Sequence, residues 1–232
     1  MYLALSSSAS GIDKYYTAVD KSTNSVVGID IYYDSHNNKV HNNNIKVVAK
    51  DPYLYGAGVS GDETSQKDTS SQNNSFTYNN IYIKGTYDAT GIIAGSNAIN
   101  TIIRWNNMTL ISNNVTYGVV LEGSQSSKVE HNSIKSQSRI NYIIELFQSN
   151  HNTVSSNDLD AKGMYVANLV LHDSSYNNIT NNIISPYSQV KNILPLVELG
   201  LSSHADVITP TNTAFHEQGK SSNNVFTGNT MR

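Results

Sequence analysis

Four side chains in this sequence are spaced so that they could perform acid–base chemistry on a polysaccharide. Glu122, Glu145, His172 and Glu198 occur in short runs with alternating apolar residues, at positions that face outward from a strand. If equivalent segments stack, Glu145 and Glu198 are two strand spacings apart, on the order of 10 Å. This separation is just beyond the range of an inverting glycosidase pair and too long for a retaining pair. Glu122 and Glu145 would be closer, but we favour a solvated strand face with scattered acids.

Tyrosine is concentrated in the first part of the chain, where it could contact sugars. Ten of the 15 tyrosines lie at or before Tyr87. A tyrosine ring can stack on a sugar face while neighbouring Asn and Asp side chains bond the hydroxyl groups of the sugar. The residues that best fit such a ligand-binding patch are Tyr32, Tyr33, Tyr53 and Tyr55. The alternative, which we favour, is that tyrosine is present because it packs well on strands and covers coil edges.

Histidine and cysteine form no pattern typical of a metal or cofactor site. The chain has no cysteine, which excludes disulfides and Cys-ligated zinc. Five histidines fall at different positions of the repeat described below, so we expect no stacked set of ligands. These histidines are His36, His41, His131, His151 and His172. We therefore expect neither a metal nor a cofactor.

A repeat determines the elements that position these side chains. The segment GVVLEGSQSSKVEHNSI begins at Gly118 and returns as NYIIELFQSNHNTVSSNDL and ANLVLHDSSYNNITNNII. Val129, Val154 and Ile179 are equivalent in these copies, with a serine five residues before each and an asparagine three residues after it. The asparagines of this series are Asn43, Asn79, Asn106, Asn132, Asn157, Asn182 and Asn229. A period of about 25 residues predicts a solenoid, because one copy cannot bury its apolar face alone.

Each copy reads as strand, turn, strand and turn, since short alternating apolar runs are separated by Ser, Asn and Gly. No stretch of Ala, Leu, Glu and Lys supplies a helix, and further leucine positions required by a leucine-rich repeat are absent. We predict an all-β parallel β-helix whose branched residues fill the core. Asparagine is expected to adopt the left-handed conformation at turns and to pass amide hydrogen bonds between coils. Around residues 99–108, either Ile102 or Ile103 could be equivalent to Val129.

The pattern GxxLxxSxxNxVxxNxI resembles the parallel β-helix repeat of the pectin-lyase-like superfamily, particularly NosD-type proteins, over roughly residues 28–232. The resemblance implies a right-handed coil with three short parallel sheets. The superfamily includes lyases, hydrolases, epimerases, adhesins and phage spikes. The polygalacturonase signatures NTD, DD, GHG and RIK and the DPH motif of alginate epimerases are absent. No Asp cluster for calcium lies beside Arg104, Arg139 or Arg232.

The repeat predicts one β-helix domain over residues 1–232, which we interpret as a fragment of a longer protein because the chain ends inside a repeat. Residues 1–27 are predicted to form an irregular first coil. Two long intervals in the asparagine series predict loop insertions at residues 51–68 and about 200–220. In the second interval SSHADVITPTNT could instead form a degenerate coil of its own, but we favour the insertion. The segment ILPLVELG, residues 193–200, is predicted to be the strand before the second insertion.

Composition restricts the classes of partner. Only 14% of residues are charged and the net charge is -3, so the sequence does not favour nucleic acid. No apolar run is long enough to span a membrane. The amino terminus lacks the regions of a signal peptide. On the resemblance, we expect an extracellular or cell-surface location, with any signal or anchor outside this sequence. The sequence gives no oligomeric state.

These observations favour a non-enzymatic, adhesin-like β-helix that acts as a rigid stalk and binds a cell-surface glycan or another partner through its lateral loops. One alternative is a polysaccharide-acting lyase, hydrolase or epimerase with its cleft along the strand that bears Glu145. A further alternative is a segment of a phage tail spike. An enzyme should have a groove lined by convergent acids and a base, whereas an adhesin should have a flat, repetitive face.

Overall fold

Parallel β-strands form all the regular structure in the described part of the chain. The computed structural model describes residues 4–5, 15–19, 26–31, 35–48, 54–60, 70–188, 215–218 and 220–232. Among these residues there is no helix. Successive segments pair in parallel and form a β-solenoid whose turns are roughly 26 residues apart. The prediction of an all-β parallel β-helix is confirmed.

The strands belong to three sheets, named sheet I, sheet II and sheet III. Sheet I contains β1 (Ala4–Leu5), β3 (Val26–Ile31), β6 (Leu54–Ser60), β10 (Asp88–Gly95), β14 (Val115–Glu122) and β21 (Phe215–Gln218). Sheet II contains β2 (Tyr15–Val19), β5 (Asn44–Val48), β9 (Asn80–Lys84), β13 (Asn107–Ile111), β20 (Ile183–Ser188) and β23 (Thr230–Met231). Two long strands join the two sheets at a corner: β16 (Ser133–Phe147) and β18 (Asp158–His172) begin in sheet II and end in sheet I.

Sheet III consists of three-residue strands, one in each coil. They are β4 (Lys39–His41), β8 (Ser75–Thr77), β12 (Ile102–Arg104), β15 (Lys128–Glu130), β17 (Thr153–Ser155), β19 (Asn178–Thr180) and β22 (Val225–Thr227). A shorter pair, β7 (Ser71–Gln72) and β11 (Ala98–Ile99), lies between sheets I and III. In sheet III, where β12 pairs with β15, Ile103 and not Ile102 lies beside Val129. Val129 in turn lies beside Val154, and Val154 beside Ile179, as the repeat predicted.

One apolar core lies inside the coils, because alternate side chains of all three sheets point to the same interior. Val119 and Leu121 of sheet I, Val129 of sheet III and Ile134 of sheet II are fully buried in it. Burial of a side chain of this size contributes about 1.5–3 kcal/mol. Equivalent residues lie one strand spacing apart, about 4.8 Å. The core is therefore continuous along the axis.

The asparagine series forms a hydrogen-bonded column inside the solenoid. The backbone N–H and the Nδ2–H of Asn132 both donate to Oδ1 of Asn157, at 3.0 and 3.0 Å. Nδ2 of Asn157 donates to the carbonyl oxygen of Val129 at 2.8 Å and to Oδ1 of Asn182 at 2.9 Å. The same pattern connects Asn182 with Asn229. The predicted amide column is confirmed.

The expected left-handed conformation of these asparagines is wrong by one position. Positive φ occurs in the preceding residue, for example His131 (55°) and Ser156 (56°). The left-handed residue turns the chain, and the asparagine that follows points inward and bonds to the next coil. The two roles fall on different residues for a geometric reason. A side chain that bonds along the axis must point toward the interior, whereas the corner residue points to solvent.

A second polar column lies at the other end of each sheet III strand, at the first asparagine position of the pattern GxxLxxSxxNxVxxNxI. Its members are five amide side chains and, in the two middle coils, two hydroxyl side chains: Asn38, Asn74, Thr101, Ser127, Asn152, Asn177 and Asn224. The serine series lies nearby, and the backbone N–H of Ser124 donates to Oγ of Ser149 at 3.0 Å. Both ends of sheet III are therefore held by buried side-chain hydrogen bonds.

Two predicted irregular regions contain strands instead. In the predicted loop at residues 51–68, residues 54–60 form β6, which pairs with β3 and β10 in sheet I. Gly56 lies where the coils pack closely: a Cβ there would lie 2.9 Å from the carbonyl oxygen of Gly91 and 2.6 Å from Cγ2 of Ile81. The predicted strand at residues 193–200 lies outside the described residues. The strand that pairs with the end of β18 is β21, within the stretch predicted as the second insertion.

The hydrogen bonds of the amide column show how long each coil is. Asn43 bonds to Asn79, 36 residues later, and Asn182 bonds to Asn229, 47 residues later. Each of these intervals therefore connects neighbouring coils of the column.

Candidate functional site

The outer face of sheet I carries the described residues that were predicted to perform acid–base chemistry. Glu145 lies beside Val170 of the next coil, and Glu122 and His172 lie on either side of Phe147. Glu122 and Glu145 are thus on adjacent coils in different columns, as alternation predicted. The rings of Phe147 and His172 are 4.9 Å apart.

The interpretation of this face as solvated is wrong. Glu145 is 9% exposed, His172 is 4% exposed and Val170 is fully buried. A second apolar cluster, separate from the interior core, accounts for part of this burial. Its members are Val115, Ile140, Tyr142, Tyr165, Ala167 and Val170, with Tyr117 packed against them. An outward position on a strand is therefore not an exposed one here.

Burial changes the titration of Glu145. Loss of solvation, followed by repulsion from the carboxylate of Glu122, raises the pKa of Glu145 from 4.5 to about 7. Burial of Asp88, two coils earlier, raises its pKa from 3.8 to about 7, although its Oδ1 accepts a hydrogen bond from the backbone N–H of Leu54 at 3.2 Å. Two carboxyl groups on this face therefore titrate near neutral pH.

Two tyrosines, Tyr117 and Tyr142, interact electrostatically with these acids. The rings of Tyr117 and Tyr142 are 5.5 Å apart. Burial raises the pKa of both phenols, and the charge of Glu145 raises them further; Asp88 also acts on Tyr117. Both phenols therefore remain neutral donors at ordinary pH. Asp88, Tyr117 and Tyr142 were not identified in the sequence, because only their burial distinguishes them.

The cluster formed by Asp88, Tyr117, Tyr142 and Glu145 is poorly suited to contact a polymer. A carboxyl group with a pKa near 7 can exchange a proton at neutral pH, but a general acid must also reach the bond that is broken. Glu145 lies among apolar side chains with little exposed area. The arrangement is that of a buried proton-exchanging cluster on the outside of a sheet.

The predicted tyrosine patch cannot be assembled from the described residues. Tyr32, Tyr33 and Tyr53 lie outside them. Tyr55 is half-buried in β6, and its hydroxyl donates to Oδ2 of Asp30 at 3.4 Å.

Glu198 also lies outside the described residues. The position it was predicted to take, beside Val170 on the far side from Glu145, belongs to His216 of β21. In the described chain this column runs from Glu145 through Val170 to His216.

A row of four rings, here called the ring ladder, lies at the corner between sheets III and II. Its members, in successive coils, are His41, Tyr78, Trp105 and His131. The ring centroids of His41 and Tyr78 are 5.4 Å apart with an edge-on geometry, and those of Tyr78 and Trp105 are 4.8 Å apart and stacked. Trp105 and His131 are stacked at 5.8 Å. Tyr78 is 49% exposed and Trp105 is 42% exposed.

The ring ladder requires bulky side chains at corners that favour small ones. Tyr78 and Trp105 both have φ of 56°, a conformation that costs a residue with a Cβ roughly 1–2 kcal/mol. Other coils have Asn42, Asn181 or Gly228 at this position, which tolerate it better. Strained backbone of this kind is concentrated at functional sites.

An ion pair lies beside the ring ladder. Arg104 on the outward side of β12 pairs with Glu130 of the next coil. The guanidinium carbon of Arg104 is also 4.9 Å from the ring centroid of Trp105, a distance suited to a cation–π contact. Oγ of Ser155 lies 3.5 Å from the second oxygen of Glu130. The ring ladder thus has a polar border on sheet III.

The sequence contains a signal for the ring ladder. Tyr78, Trp105 and His131 each immediately precede an asparagine of the series. Reading that single column down the repeat, instead of searching for pairs of tyrosines, would have found it. Trp105 is the only tryptophan of the chain.

Two histidines, His131 and His151, lie at left-handed corners. His151 stacks on Tyr176 at 5.1 Å at the second corner of sheet III, apart from the ring ladder. Within the described ranges, no three His, Asp or Glu side chains are grouped so that they could hold a metal ion. The same ranges contain no helix with the length and apolar character needed to cross a membrane.

Comparison of the chain with protein-family models, with curated proteins and with solved structures gave no match in any of the three.

Proposed function

We propose that this protein is a non-enzymatic β-solenoid that binds a glycan along the ring ladder. The observation that carries the proposal is the exposure of the stacked rings of Tyr78 and Trp105 at strained corners of adjacent coils. A rigid axial array suits a linear polymer, because the backbone hydrogen bonds of the solenoid fix the distance between successive binding groups.

The chemistry of the ring ladder fits a sugar. Stacked rings cover one another's faces, so their exposed area is mainly at the edges, where a phenol O–H, an indole N–H and imidazole nitrogens can bond hydroxyl groups. His131 is the last ring of the stack, since the next corner residue is Ser156. The small side chain of Ser156 leaves one face of the imidazole for an apolar sugar face. Arg104 and Glu130 add charged groups beside the row.

The position of the acids also supports binding over catalysis. Glu145 and Asp88 are buried on the outer face of sheet I, whereas the ring ladder lies at the opposite end of sheet II. A glycan held along the ring ladder therefore does not meet the buried carboxyl groups. A glycan-binding stalk of this kind would act at a cell surface or outside the cell.

The test compares two aromatic residues at left-handed corners. In Trp105→Asn, the new residue matches Asn42 and Asn181 of the same column, so we expect stability to change by no more than about 1 kcal/mol, with strain relief offsetting lost stacking. Glycan binding on an array of neutral and acidic polysaccharides should weaken about tenfold or more. The control Tyr176→Asn removes a similar exposed ring, with φ of 59°, at the other corner and should leave binding unchanged.

Two results would contradict the proposal: no binding of any polysaccharide by the wild-type protein, or equal losses in both variants. The enzyme alternative is tested on the same panel by assay of new reducing or unsaturated ends. Turnover that is lost in Glu145→Gln and retained in Trp105→Asn would establish the outer face of sheet I as an active site instead.

A further inference from the structure

An open groove at the corner between sheets II and I crosses three coils. Its wall includes Ser112 and Asn113 after β13, Gln137 and Arg139 of β16, and Lys162 of β18. Gln137 and Lys162 are paired neighbours in adjacent coils. All the side chains that line the groove are polar or positively charged except that of Met164, and no carboxylate is among them.

The corner beneath the groove is held rigidly by buried hydrogen bonds. Oδ1 of Asn141 accepts bonds from Thr116 Oγ1 at 2.8 Å, Ser136 Oγ at 2.8 Å and Ser138 Oγ at 3.0 Å. Its Nδ2 donates to the carbonyl oxygens of Ser138 and Lys162, each at 3.2 Å. Because Asn141 is fully buried, this network fixes the backbone that carries the positively charged side chains of Arg139 and Lys162.

A glycine brings the two coils together at this point. A Cβ on Gly163 would overlap both Nδ2 of Asn141 and the carbonyl oxygen of Ser138. Any larger residue would therefore separate the β18 corner from the β16 corner. Gly163 therefore allows the coils that carry Arg139 and Lys162, both exposed, to approach closely beside the groove.

The adjoining outer face of sheet II adds positive charge. Its exposed lysines are Lys46, Lys84, Lys135 and Lys162. Among the described residues of this face the exposed acids are Asp158, which pairs with Arg232 at 3.5 Å, and Asp160. With Arg139 the face has more positive than negative groups, although the whole chain has a net charge of -3. A local field of this sign attracts anions.

We propose that the groove is a subsite for the anionic groups of a charged glycan, with Arg139 and Lys162 as the residues that bind a sulfate or a carboxylate. The guanidinium of Arg139 can donate two parallel hydrogen bonds to such a group, and the ammonium of Lys162 supplies a second charge from the next coil. This inference rests on the proposed glycan-binding function and assigns the class of ligand, an anionic polysaccharide. The lysines of sheet II extend the subsite along the polymer.

The experiment measures binding of dextran sulfate, polygalacturonate and neutral dextran to the full chain by isothermal titration calorimetry. The double variant Arg139→Gln with Lys162→Gln should lose about tenfold or more in affinity for the preferred charged polymer, as expected for loss of charged contacts in a rigid site. The control Lys39→Gln with Lys128→Gln removes the same charge from exposed positions of sheet III and should lose less than about twofold. Thermal unfolding of both variants verifies that the fold is retained.

The charged polymers identify the anion. Preference for dextran sulfate assigns sulfate to the groove, and preference for polygalacturonate assigns carboxylate. Equal losses in the two double variants, or no preference for either charged polymer over dextran, would overturn the subsite. Equally tight binding of duplex DNA would show a general polyanion surface and would also overturn it.

The same measurements separate this inference from the proposed function. Binding of dextran alone, lost in Trp105→Asn, would retain the ring ladder and reject the groove. Binding of a charged polymer that depends on Arg139 and Lys162 but not on Trp105 would retain the groove and reject the ring ladder. Binding of no polymer would reject both.

Discussion

Single residues determine whether each corner of the solenoid can close. A corner needs one residue in the left-handed conformation and, directly after it, one side chain that bonds to the next coil. Asn181 and Asn182 perform these two functions with the same residue type, since Asn181 has φ of 58° and Asn182 bonds to Asn229. Trp105, which precedes Asn106, has the same left-handed conformation despite its bulky side chain, and its ring is exposed at the corner.

The buried asparagine is the residue at which a substitution should be most damaging. Asn157→Leu leaves the backbone N–H and Nδ2–H of Asn132 and the carbonyl of Val129 without their partner. Each unsatisfied buried group costs about 1–3 kcal/mol, so the free energy of unfolding should fall by roughly 4 kcal/mol or more. Urea denaturation followed by circular dichroism measures this loss.

An exposed asparagine provides the control. Asn107→Leu removes only a bond of 3.2 Å to Asn80 at the surface, so we expect a loss within about 0.5 kcal/mol. Similar losses in the two variants would show that the buried column does not stabilise the solenoid.

At the scale of an element, the outer face of sheet I combines apolar packing with buried acids. The folded protein retains the proton of Glu145 up to about pH 7, whereas the carboxyl group of an unfolded chain loses it near 4.5. A raised pKa means that the folded state binds the proton more tightly. The stabilisation is therefore complete below about pH 4.5 and is lost as the pH rises through 7.

Glu145→Gln removes this titration and gives a prediction for the element. The variant should be more stable than the wild type at pH 8, by on the order of 3 kcal/mol, and the difference should shrink toward pH 4.5. Chemical denaturation at a series of pH values measures it. Asp160→Asn, which makes a similar change at an exposed acid of β18, is measured in parallel as the surface control. A constant difference for Glu145→Gln would mean that its carboxyl group is not buried in solution.

The repeat allowed the interior of each element to be predicted, whereas the exterior could not be. Val129, Val154 and Ile179 stack because this column faces the interior and must be apolar in every coil, so the pattern is visible in the sequence. The burial of Glu145 depends on packing over the outer face of sheet I, which has no period. No local pattern could therefore reveal its raised pKa.

Two further misses have similar causes. Residues 54–60 resembled a loop because of their glycines, but Gly56 is required by the close approach of neighbouring backbones. The ring ladder was not predicted because its rings are adjacent in the fold but lie a full repeat apart in the sequence.

At the scale of the whole molecule, the solenoid has neighbours only along its axis. The strand β15 pairs with β12 on one side and β17 on the other, and the same holds for the other central coils. Stability in such a protein is close to a sum of coil terms and nearest-neighbour terms. Local opening is therefore expected to vary along the axis, even where the hydrogen bonds are alike.

The last coil gives the sharpest test of this expectation. The backbone N–H of Thr230 donates to the carbonyl oxygen of Asn182 at 2.8 Å, as that of Asp158 donates to Asn132 at 2.8 Å. In the described chain, however, β22 pairs only with β19 and β23 only with β20, and Val225 and Met231 are 49% and 60% exposed.

Amides of residues 225–231 should therefore exchange with deuterium faster than those of residues 128–134 by about two orders of magnitude or more. Hydrogen exchange measured by mass spectrometry on peptides from the two coils tests this difference, with the matched bonds of Thr230 and Asp158 as the internal comparison. Equal protection would show that the solenoid opens only as a single cooperative unit. In that case a ligand bound at one coil would stabilise every other coil equally, whereas graded protection confines the stabilisation to the coils nearest the ring ladder.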